Sequence, residues 1–407
     1  MRYIDFVELG YKPSSSDLVC SFYVEPEGLT LEEAAGGVAA ESSIGTWTEL
    51  GTMKEYVNKL QAKVFEISGN NFKIAYPIEL FEESNMPNIL SSVAGNIFGL
   101  KALLNLRLID MDLPEKLVRS FKGPAHGIDG IRKILKLEKR PLIGTIVKPK
   151  LGLNVADHAE VAYQAWVGGC DLVKDDENLA SQGFNKFDER LLKTLEKREL
   201  AEKETGERKM YMANITAETK EMIRRARFVR DNGCEYLMVD VLTCGFSSLQ
   251  TIRDEDLQLV IHAHRAGHAA ITKSSKHGIS MRVLAKVFRI IGVDQLHVGT
   301  VVGKMSEKAS EVAENISALK EELYGLKKVL PVASGGLHPG LVPPLMQIFG
   351  NDFAIQAGGG IHGHKQGTVA GAKATRQAVD ATLEGKTLKE YATNHEELRM
   401  ALEIWPQ

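Results

Sequence analysis

The sequence predicts an α/β protein in which a smaller α+β (ferredoxin-like) N-terminal domain precedes a C-terminal (β/α)8 TIM barrel. After residue 135, short apolar runs alternate with amphipathic stretches about eight times. Alternating β and α units favour a parallel sheet, and eight such units is the number that closes a barrel. No G-x-G-x-x-G motif follows the first strand, which disfavours an open doubly wound sheet. We therefore expect one domain over residues 1–120 and the barrel over residues 121–407.

The composition of the chain excludes several classes of function. Among the 407 residues, 50 Lys and Arg nearly balance 53 Asp and Glu, so a nucleic-acid-binding surface is not expected. The four cysteines, Cys20, Cys170, Cys234 and Cys244, form no C-x-x-C pair, which is typical of reduced thiols in a cytosolic enzyme. The N-terminus has no apolar signal region, and no apolar run is long enough to span a membrane. We therefore expect a cytoplasmic protein that binds neither nucleic acid nor a membrane.

The N-terminal domain is predicted from short strand and helix patterns. Residues 18–24 have the length and content of a strand. Thr30 and Glu33 form a capping-box pattern that predicts the start of the first helix. Residues 63–67 and 71–76 are predicted as strands around a Gly-Asn-Asn turn, and residues 86–90 lead into a second helix.

The barrel strands are predicted at the apolar runs, with helices between them. The predicted strands are residues 141–147, 171–173, 210–215, 236–241, 257–261, 295–298, 329–333 and 353–357. The predicted helices include residues 156–167, 220–232, 281–291, 308–324 and 370–383. Residues 197–209 mix charges of both signs and are interpreted as a solvated surface connection.

Charged side chains gather where the predicted barrel strands end, which is where a barrel enzyme keeps its chemistry. The stretch 170–178 is the most informative, because an apolar strand runs directly into Lys174-Asp175-Asp176-Glu177. Adjacent carboxylates repel one another and need a cation, and hard oxygen ligands without Cys or His favour Mg²⁺ over Zn²⁺. The alternative is a solvated turn, which is what most charge runs are. Basic side chains at several other strand ends favour a functional site over that alternative.

Two glycine-rich loops predict a phosphate site. The segments 334–336 (S-G-G) and 358–360 (G-G-G) follow strands seven and eight, the usual position for phosphate in this fold. Glycine lets backbone N–H groups approach a phosphate closely, although a single Gly-Gly pair is more often only a tight turn. Arg265 and His297, at the ends of strands five and six, suit a second phosphate on the opposite side of the mouth. Two phosphate sites in one barrel predict a bisphosphate substrate.

Two further features are less specific. The segment 298–304 (V-G-T-V-V-G-K) has two glycines and a terminal lysine, so it is either a mobile lid that carries Lys304 to the substrate or an ordinary βα loop. His262, His264 and His268 fall close together in the sequence. The H-x-H spacing is weak support for zinc, and a core histidine is the better interpretation of at least one of them.

In combination, the motifs resemble those of the large subunits of ribulose-1,5-bisphosphate carboxylase/oxygenase (rubisco). The segments 144–152 (G-T-I-V-K-P-K-L-G) and 168–178 (G-G-C-D-L-V-K-D-D-E-N) resemble the first-strand and activation motifs of that family. The segments 264–266, 297–304, 334–336 and 358–360 follow in the family order, and 41–47 (E-S-S-I-G-T-W) and 95–99 (G-N-I-F-G) match in the first domain. The resemblance covers nearly the whole chain, and the first domain and tail are most like the archaeal-type form III enzymes.

The resemblance implies Mg²⁺-dependent carboxylation, and also oxygenation, of ribulose 1,5-bisphosphate, with carboxylation giving two molecules of 3-phosphoglycerate. Lys174 would be carbamylated by a non-substrate CO2 and would then bind Mg²⁺ together with Asp176 and Glu177. The carbamate would remove the C3 proton to give an enediolate. Carbamylation needs a neutral amine, and because a free lysine has a pKa near ~10.4, activation would depend on pH. His264 would assist hydration at C3, and Lys148 would protonate the carbanion left by C–C cleavage.

The resemblance also implies roles for four further residues. Lys150 would tune the lysine that protonates the carbanion. Lys304 would reach over the incoming CO2 and would be oriented by Glu41. Asn96 would hydrogen-bond near the metal.

Substrate binding and assembly follow from the same resemblance. Arg265 and His297 would hold one phosphate. The rest of the substrate, including the other phosphate, would contact Thr46, Trp47, Ser334, Gly335, Gly336, Gln356, Gly358 and Gly359. In the family, the site residues of the first domain act on the barrel of a neighbouring subunit. We therefore expect a homodimer, or a higher oligomer of dimers, without a small subunit.

The sequence departs from the family pattern at the predicted lid. After Lys304 and Met305 the chain continues Ser306-Glu307, where the family usually has Glu-Gly, so the usual hinge glycine is missing. Ile44 stands where the family commonly has Thr, and position 267 is Gly instead of Met. By analogy, the implied pathway is nucleoside (AMP) salvage. Two alternatives remain open: a rubisco-like enolase or isomerase of sulfur salvage, and a non-catalytic phosphosugar-binding or assembly protein.

Overall fold

The computed structural model describes residues 2–48, 50–303 and 308–405. Within them the strands are β1 (Leu18–Pro26), β2 (Lys63–Ser68), β3 (Asn71–Tyr76), β4 (Leu103–Asp112), β5 (Leu142–Ile146), β6 (Leu172–Lys174), β7 (Met210–Asn214), β8 (Tyr236–Asp240), β9 (Val260–His264), β10 (Gly278–Ile279), β11 (Gln295–His297), β12 (Leu330–Ser334) and β13 (Ala354–Gln356). The α-helices are α1 (Leu31–Glu41), α2 (Met86–Val93), α3 (Glu115–Ser120), α4 (Gly127–Leu135), α5 (Val155–Val167), α6 (Phe187–Thr205), α7 (Thr219–Asp231), α8 (Phe246–Asp254), α9 (Ala269–Thr272), α10 (Met281–Ile291), α11 (Ala309–Lys320), α12 (Val342–Phe349), α13 (Gly359–His362), α14 (Thr368–Leu383), α15 (Leu388–Ala392) and α16 (Glu396–Ile404). Short 3-10 helices lie at Tyr3–Phe6, Glu55–Leu60, Ile78–Leu80, Asn96–Gly99 and Pro339–Leu341.

The described residues divide into two compact units. The N-terminal unit takes in those of 1–122, 267–291 and 322–326, and the barrel unit those of 123–266, 292–321 and 327–407. The helix predicted over residues 281–291 forms as α10, but it belongs to the N-terminal unit and not to the barrel. The domain boundary placed at residue 120 stays a prediction.

The N-terminal unit is built on a five-stranded sheet in the order β10-β4-β1-β3-β2. β1 pairs antiparallel with both β3 and β4. Alternate residues of β1 from Leu18 to Val24 are buried, because successive side chains of a strand point to opposite faces. The predicted capping box is confirmed, since Glu33 N–H donates to Thr30 Oγ1 at 3.2 Å and the Glu33 carboxylate accepts from Thr30 N–H at 2.9 Å. The strands predicted over residues 18–24, 63–67 and 71–76 and the helix that starts at Met86 are also confirmed.

Eight parallel strands close the barrel in the order β5-β6-β7-β8-β9-β11-β12-β13, with β13 pairing back onto β5. The predicted TIM barrel is therefore confirmed. Because alternate residues of each strand point inward, the lower part of the interior is a packed apolar floor. The strand residues in this floor are Leu142, Leu172, Met210, Met212, Tyr236, Met238, Val260, Leu330, Val332 and Ala354. The helices predicted over residues 156–167, 220–232 and 370–383 form as α5, α7 and α14.

In the barrel unit the structure corrects the bounds of one predicted strand and the nature of one predicted segment. The strand predicted over residues 257–261 is β9, which begins only at Val260, because Asp256 and Gln258 adopt positive φ angles of 54° and 55°. The surface connection predicted over residues 197–209 is largely the second half of α6. Arg198 and Ala201 are buried in that half, so the mixed charges belong to the solvated face of a helix. In the part of the chain that is described, no helix is long and apolar enough to cross a membrane.

Candidate active site

Polar side chains line the barrel interior between the apolar floor and the carboxyl ends of the strands, because alternate residues of a strand face the same side. On every strand, the residues two or four positions beyond a floor residue share its inward orientation. At these positions the sequence places Lys174, Asn214, Asp240, His262, His264, Ser334 and Gln356, and His297 occupies the matching position on β11. The mouth of the barrel is therefore lined by groups that can accept, donate or carry protons.

Three lysines meet two carboxylates at this mouth, and we call these five residues the lysine–carboxylate cluster. Lys148 Nζ lies 2.8 Å from Asp176 Oδ2. Lys150 Nζ lies 3.2 Å from Glu177 Oε1 and 3.7 Å from Asp176 Oδ1. Lys174 Nζ lies 3.9 Å from Glu177 Oε2. The structure thus brings together the predicted lysines at the carboxyl ends of β5 and β6 with the predicted carboxylates.

Lys174 is the buried member of the cluster. Its side chain is only 1% exposed, and Nζ donates to the carbonyl oxygen of Asp175 at 2.8 Å and contacts Met238 Sδ at 3.4 Å. Burial, assisted by the positive charge of Lys148, lowers the pKa of Lys174 from its usual value, against the opposing effect of the nearby carboxylates. The neutral form of this amine is therefore populated at lower pH than that of a surface lysine. Glu177 shows the reverse balance, because Lys174 and other cations outweigh its burial and lower its pKa to about 2.

Asp175 points out of the barrel, away from the cluster. Its Oδ2 lies 3.1 Å from Arg190 Nη2 and accepts from the Asn214 backbone N–H at 2.9 Å. Its Oδ1 accepts from the Tyr211 hydroxyl and lies 3.1 Å from His158 Nε2. Burial alone would raise the pKa of Asp175, but Arg190 and its other partners hold it well below its usual range. This carboxylate therefore already has its cation.

Of the three adjacent carboxylates, only Asp176 and Glu177 belong to the lysine–carboxylate cluster, so the prediction that all three need a cation at one site is corrected. No local motif points to Arg190, His158 or Tyr211 as the partners of Asp175. The alternation of side chains along β6 was the available sign that Asp175 has its own partners, because the residue after the inward-facing Lys174 must face outward.

His264 connects the cluster to β8. Its Nδ1 lies 3.1 Å from Asp240 Oδ1, and its Nε2 lies 3.8 Å from Glu177 Oε2. The carboxylate of Asp240 therefore faces one ring nitrogen and leaves the other directed toward Glu177. The sequence predictions gave Asp240 no role. It lies two residues after the inward-facing Met238 on β8, so it also faces inward and lies beside the histidine.

His262 and His297 form a buried pair next to His264. Their Nε2 atoms lie 3.0 Å apart, and His262 Nδ1 lies 2.8 Å from Gln295 Oε1. Burial is the main cause that lowers the pKa of His262 to about 3 and that of His297 well below its usual value. Both rings are therefore neutral near pH 7. His262 is thus a core histidine, as expected for at least one of the three.

The arrangement of the histidines gives no sign of a zinc site. His268 lies in the N-terminal unit, where its Nδ1 is 2.9 Å from Thr272 Oγ1. Among the described residues, no group of three or more His, Cys, Asp and Glu side chains is arranged to hold a metal ion.

His297 also contacts one of the predicted phosphate loops. Its Nδ1 lies 2.6 Å from Ser334 Oγ, because β11 and β12 are neighbours in the barrel. His297 and Ser334, which the sequence assigned to different phosphate sites, are therefore in contact at the mouth. Arg265 is 7% exposed and close enough to His297 to contribute to its low pKa.

The glycines after β12 have backbone conformations that favour glycine, and one glycine after β13 packs closely against a lysine. Gly335 and Gly336 have positive φ angles of 115° and 75°, which L-residues rarely adopt. A Cβ at Gly358 would lie 3.2 Å from Lys148 Cε, so this glycine packs against the lysine stem. Gly359 begins α13 and has open space around it.

Gln356 lies over β5 at the barrel interior. A Cβ on Gly144 would lie 2.5 Å from Gln356 Nε2, so the glycine makes room for the amide. Gln356 is 1% exposed, and neither of its amide atoms has a hydrogen-bond partner among the described residues. A buried amide without partners is costly unless a ligand supplies them.

The remaining predicted residues belong to the N-terminal unit or fall outside the described residues. Glu41 ends α1, Thr46 and Trp47 follow it in a loop, and Asn96 begins a 3-10 helix, all in the N-terminal unit. Trp47 is 81% exposed. Lys304, together with the altered lid sequence at 305–307, falls outside the described residues.

Family comparisons match nearly the whole chain. Residues 5–117 match the family described as ribulose bisphosphate carboxylase large chain, N-terminal domain, and residues 127–405 match the catalytic domain of the same family. The chain is 52% identical to the ribulose bisphosphate carboxylase of Methanocaldococcus jannaschii, covering 99% of this chain and 100% of that one. It is 51% identical to the ribulose bisphosphate carboxylase of Pyrococcus furiosus, covering 99% and 97%.

Solved structures show the same likeness. The octameric rubisco of Pyrococcus horikoshii, crystallised as a complex with sulfate ion, is similar with a TM-score of 0.96 and 49% identity, covering 99% of this chain and 97% of that one. The dimeric archaeal rubisco of Hyperthermus butylicus is similar with a TM-score of 0.93 and 44% identity, covering 99% of each chain.

Proposed function

The chain belongs to the ribulose bisphosphate carboxylase large-chain family, and from that premise we propose that it carboxylates ribulose 1,5-bisphosphate to two molecules of 3-phosphoglycerate and also accepts O2. The observation that carries the proposal is the lysine–carboxylate cluster, in which a buried lysine of lowered pKa stands beside two carboxylates. Carbamylation by CO2 requires a neutral amine, and burial of Lys174 favours that form.

The cluster fits a carbamylated Mg²⁺ site. In the uncarbamylated chain, Lys148, Lys150 and Lys174 supply the positive charge around Asp176 and Glu177. Carbamylation would change Lys174 from a cation into an anion that presents oxygen, so three anionic oxygen groups would adjoin. Such a set suits Mg²⁺, which would be held by Lys174, Asp176 and Glu177. When bound, Mg²⁺ would supply Lewis-acid stabilisation of the negative charge that develops on the substrate oxygens.

The chain's own residues would move the protons. The carbamate of Lys174 would take the C3 proton of the substrate, which its anionic oxygen makes it able to do. His264 would assist hydration at C3. The Asp240 carboxylate, which lies 3.1 Å from His264 Nδ1, supports this role because it favours the ring proton on Nδ1 and leaves Nε2 as the base.

The final proton would come from Lys148. Its ammonium is 29% exposed and held at 2.8 Å by Asp176, so a charged donor stands at the edge of the mouth. Lys150, 53% exposed and bound to the same carboxylates, would tune that donor by adding a second positive charge. The ammonium group of Lys304 would contact the incoming CO2, and Glu41 would orient that lysine. Asn96 would form a hydrogen bond near the metal.

The substrate would bind through its two phosphates. Arg265 and neutral His297 would hold one of them, the arginine by charge and the histidine by hydrogen bonding. The rest of the substrate would be held by Thr46, Trp47, Ser334, Gly335, Gly336, Gln356, Gly358 and Gly359. The unpartnered amide of Gln356 and the positive φ angles of the glycine loop support these assignments.

The active assembly would be a homodimer or a larger oligomer of dimers, without a small subunit. Relatives of this chain are described as dimeric and as octameric. Trp47 is 81% exposed in the single chain, so its ring is accessible to a neighbouring subunit, and tryptophan is enriched at interfaces relative to the rest of the surface. In the proposed dimer, Glu41, Thr46, Trp47 and Asn96 would complete the barrel of the neighbouring subunit. The physiological role would be nucleoside salvage, and neither nucleic acid nor a membrane would be a partner.

The test is the incorporation of labelled bicarbonate into 3-phosphoglycerate from ribulose 1,5-bisphosphate, with and without Mg²⁺. Metal-dependent labelling would support the proposal. Exchange of the C3 proton without labelled product would instead favour the enolase or isomerase alternative. Binding of the substrate without either reaction would favour the non-catalytic alternative.

A further inference from the structure

His362 is a titratable residue of the barrel unit that none of the roles above uses. It is the last residue of the short helix α13, which begins at Gly359. Its Nε2 lies 2.9 Å from Thr145 Oγ1 and 3.0 Å from the carbonyl oxygen of Ile146. Its Nδ1 lies 3.1 Å from Thr368 Oγ1. Both ring nitrogens therefore have partners within the barrel unit.

The directions of these hydrogen bonds follow from the chemistry of the partners. Thr145 Oγ1 has one hydrogen and donates it to the carbonyl oxygen of Ala357, 2.7 Å away. The carbonyl oxygen of Ile146 can only accept, so Nε2 carries the ring proton and shares it between Ile146 O and Thr145 Oγ1. Nδ1 is then left to accept from the Thr368 hydroxyl. Burial, together with the charge of Lys148, lowers the pKa of His362 to about 4, so the ring is neutral near pH 7 and Nδ1 can accept.

These bonds join two segments that are both predicted to act on the substrate. Thr145 lies on β5, three residues before Lys148, and Ala357 precedes Gly358 in the loop after β13. The two segments also touch directly, since a Cβ at Gly358 would lie 3.2 Å from Lys148 Cε. The paired residues of β5 and β13 end at Gly144 and Gln356. His362 extends this connection to Thr145 and Ile146, at the end of β5 that leads to Lys148. We call this set of contacts the His362 clamp.

We propose that His362 is a positioning residue for the last proton transfer of the reaction. By clamping the end of β5 to the loop after β13, it keeps the Lys148 ammonium at the carbon that is protonated after C–C cleavage. The inference rests on the proposed carboxylase function. His362 acts through Thr145 and the backbone of Ile146, without touching the substrate.

The chemistry of that step gives the role a product signature. C–C cleavage leaves an electron pair on C2 of one 3-phosphoglycerate, and a proton from Lys148 converts it into a C2–H bond. Without prompt protonation the pair forms a C2=C3 double bond, the C3–O bond breaks, and phosphate leaves with the bonding electrons. The enolpyruvate that remains takes a proton from water to become pyruvate. A displaced Lys148 therefore raises the ratio of pyruvate to 3-phosphoglycerate.

The experiment compares the wild type with His362→Leu, His362→Gln and the matched control His364→Leu, each activated with CO2 and Mg²⁺. His364 is 4% exposed, its Nε2 lies 3.0 Å from the Glu397 carbonyl oxygen, and its Nδ1 accepts from Gln366 N–H at 3.1 Å. It is thus a second satisfied histidine on the same stretch of chain, but it faces α16. The readouts are kcat, KM for ribulose 1,5-bisphosphate, the product ratio and the temperature of unfolding.

His362→Leu is expected to lower kcat at least about tenfold with a smaller change in KM, because a shift of about 1 Å in a reacting group can cost roughly 100-fold. The ratio of pyruvate to 3-phosphoglycerate should rise several-fold, which a purely structural role would not produce. His362→Gln keeps an N–H donor and should restore both. His364→Leu should leave both unchanged, whatever its effect on the temperature of unfolding.

A wild-type product ratio and kcat in His362→Leu would overturn the clamp. Should that variant fail to fold, Thr368→Val decides, since it removes only the hydroxyl that bonds to Nδ1. A raised pyruvate ratio in Thr368→Val would support the clamp, and unchanged kinetics would overturn it. A wild-type protein that forms no labelled 3-phosphoglycerate would overturn the proposed function and the clamp together, and this is seen before any variant is compared.

Discussion

Arg190 Nη2 lies 3.1 Å from Asp175 Oδ2, and both side chains are 0% exposed. The same guanidinium donates to the carbonyl oxygens of Ala180 and Asn185, which lie in the loop between β6 and α6. Asp175 is the residue between the predicted carbamate lysine and the first predicted metal ligand. This buried ion pair therefore holds the backbone from which Lys174 and Asp176 project.

Loss of Arg190 is expected to destabilise the protein strongly. Arg190→Met would leave the Asp175 carboxylate buried without its cation, which typically costs about 3–5 kcal/mol. The measurement is the free energy or the temperature of unfolding by circular dichroism. Arg230→Met is the control, because Arg230 pairs with Asp231 at a site where both side chains are about half exposed, and such pairs contribute roughly 0–1 kcal/mol. Equal losses in the two variants would contradict the role assigned to the buried pair.

The same relationship shows how far the sequence can predict the site. Lys174, Asp176 and Glu177 are predictable because a short apolar strand leads into charge, and the period of the strand then fixes which side chains face inward. Arg190 is not predictable in this way. It lies on a helix whose rotation about its axis is set by packing against α5, and the sequence of α6 alone looks like a mixed-charge surface segment.

The fold shows the same division between local and distant information. The number of barrel strands and most of their positions follow from local patterns, but the start of β9 depends on two residues with positive φ that are not glycine. The membership of α10 in the N-terminal unit depends on its contacts with β4, which lies more than a hundred residues earlier in the chain. Distant partners of this kind leave no local signature.

Activation by CO2 is expected to proceed at a lower pH than for an ordinary lysine. Because burial lowers the pKa of Lys174, the neutral amine is populated below the usual range, and the pH midpoint of activation should lie below 10.5. Asp240→Asn should move the midpoint lower still, because the Asp240 carboxylate favours the charged amine. Activation is measured as the initial rate after incubation with CO2 and Mg²⁺ at each pH. Lys174→Ala should abolish it, and full activity in that variant would show the carbamate assignment to be wrong.

The buried histidines are expected to make the fold sensitive to acid. His262 has a pKa of about 3 in the folded protein, below the value of ~6.5 for an unfolded chain. The unfolded state therefore binds more protons, and the contribution to stability is complete above pH ~6.5 and falls as the pH drops toward the folded pKa. The slope is up to about 1.4 kcal/mol per pH unit for one such group. Unfolding temperatures between pH 7.5 and pH 4.5 should fall less steeply for His262→Gln than for the wild type, and parallel curves would contradict the assignment.

Replacement of Lys304 is expected to block carboxylation without blocking the earlier removal of the C3 proton. If its cation meets CO2, then Lys304→Ala should retain exchange of the C3 proton of ribulose 1,5-bisphosphate with solvent while carboxylation is lost. Exchange is followed with deuterium oxide, and carboxylation with labelled bicarbonate, on the same preparation. Lys308→Ala, four residues later at the start of α11, is the control and should leave both unchanged. Loss of exchange together with carboxylation would place Lys304 in an earlier step.

Gly144 and Gln356 are expected to behave as a coupled pair. In Gly144→Ala the new Cβ would lie 2.5 Å from Gln356 Nε2, so the amide must tilt away from its position over β5. If that amide binds substrate, KM for ribulose 1,5-bisphosphate should rise roughly threefold to tenfold, about 0.7–1.4 kcal/mol of lost binding. Gln356→Ala should raise KM in the same way, and adding Gly144→Ala to it should have little further effect, because the clash is gone. Gly183→Ala is the neutral control, since a Cβ at Gly183 would have no atom within 4 Å. Additive effects of the two substitutions would show that Gly144 acts on the substrate independently of the amide.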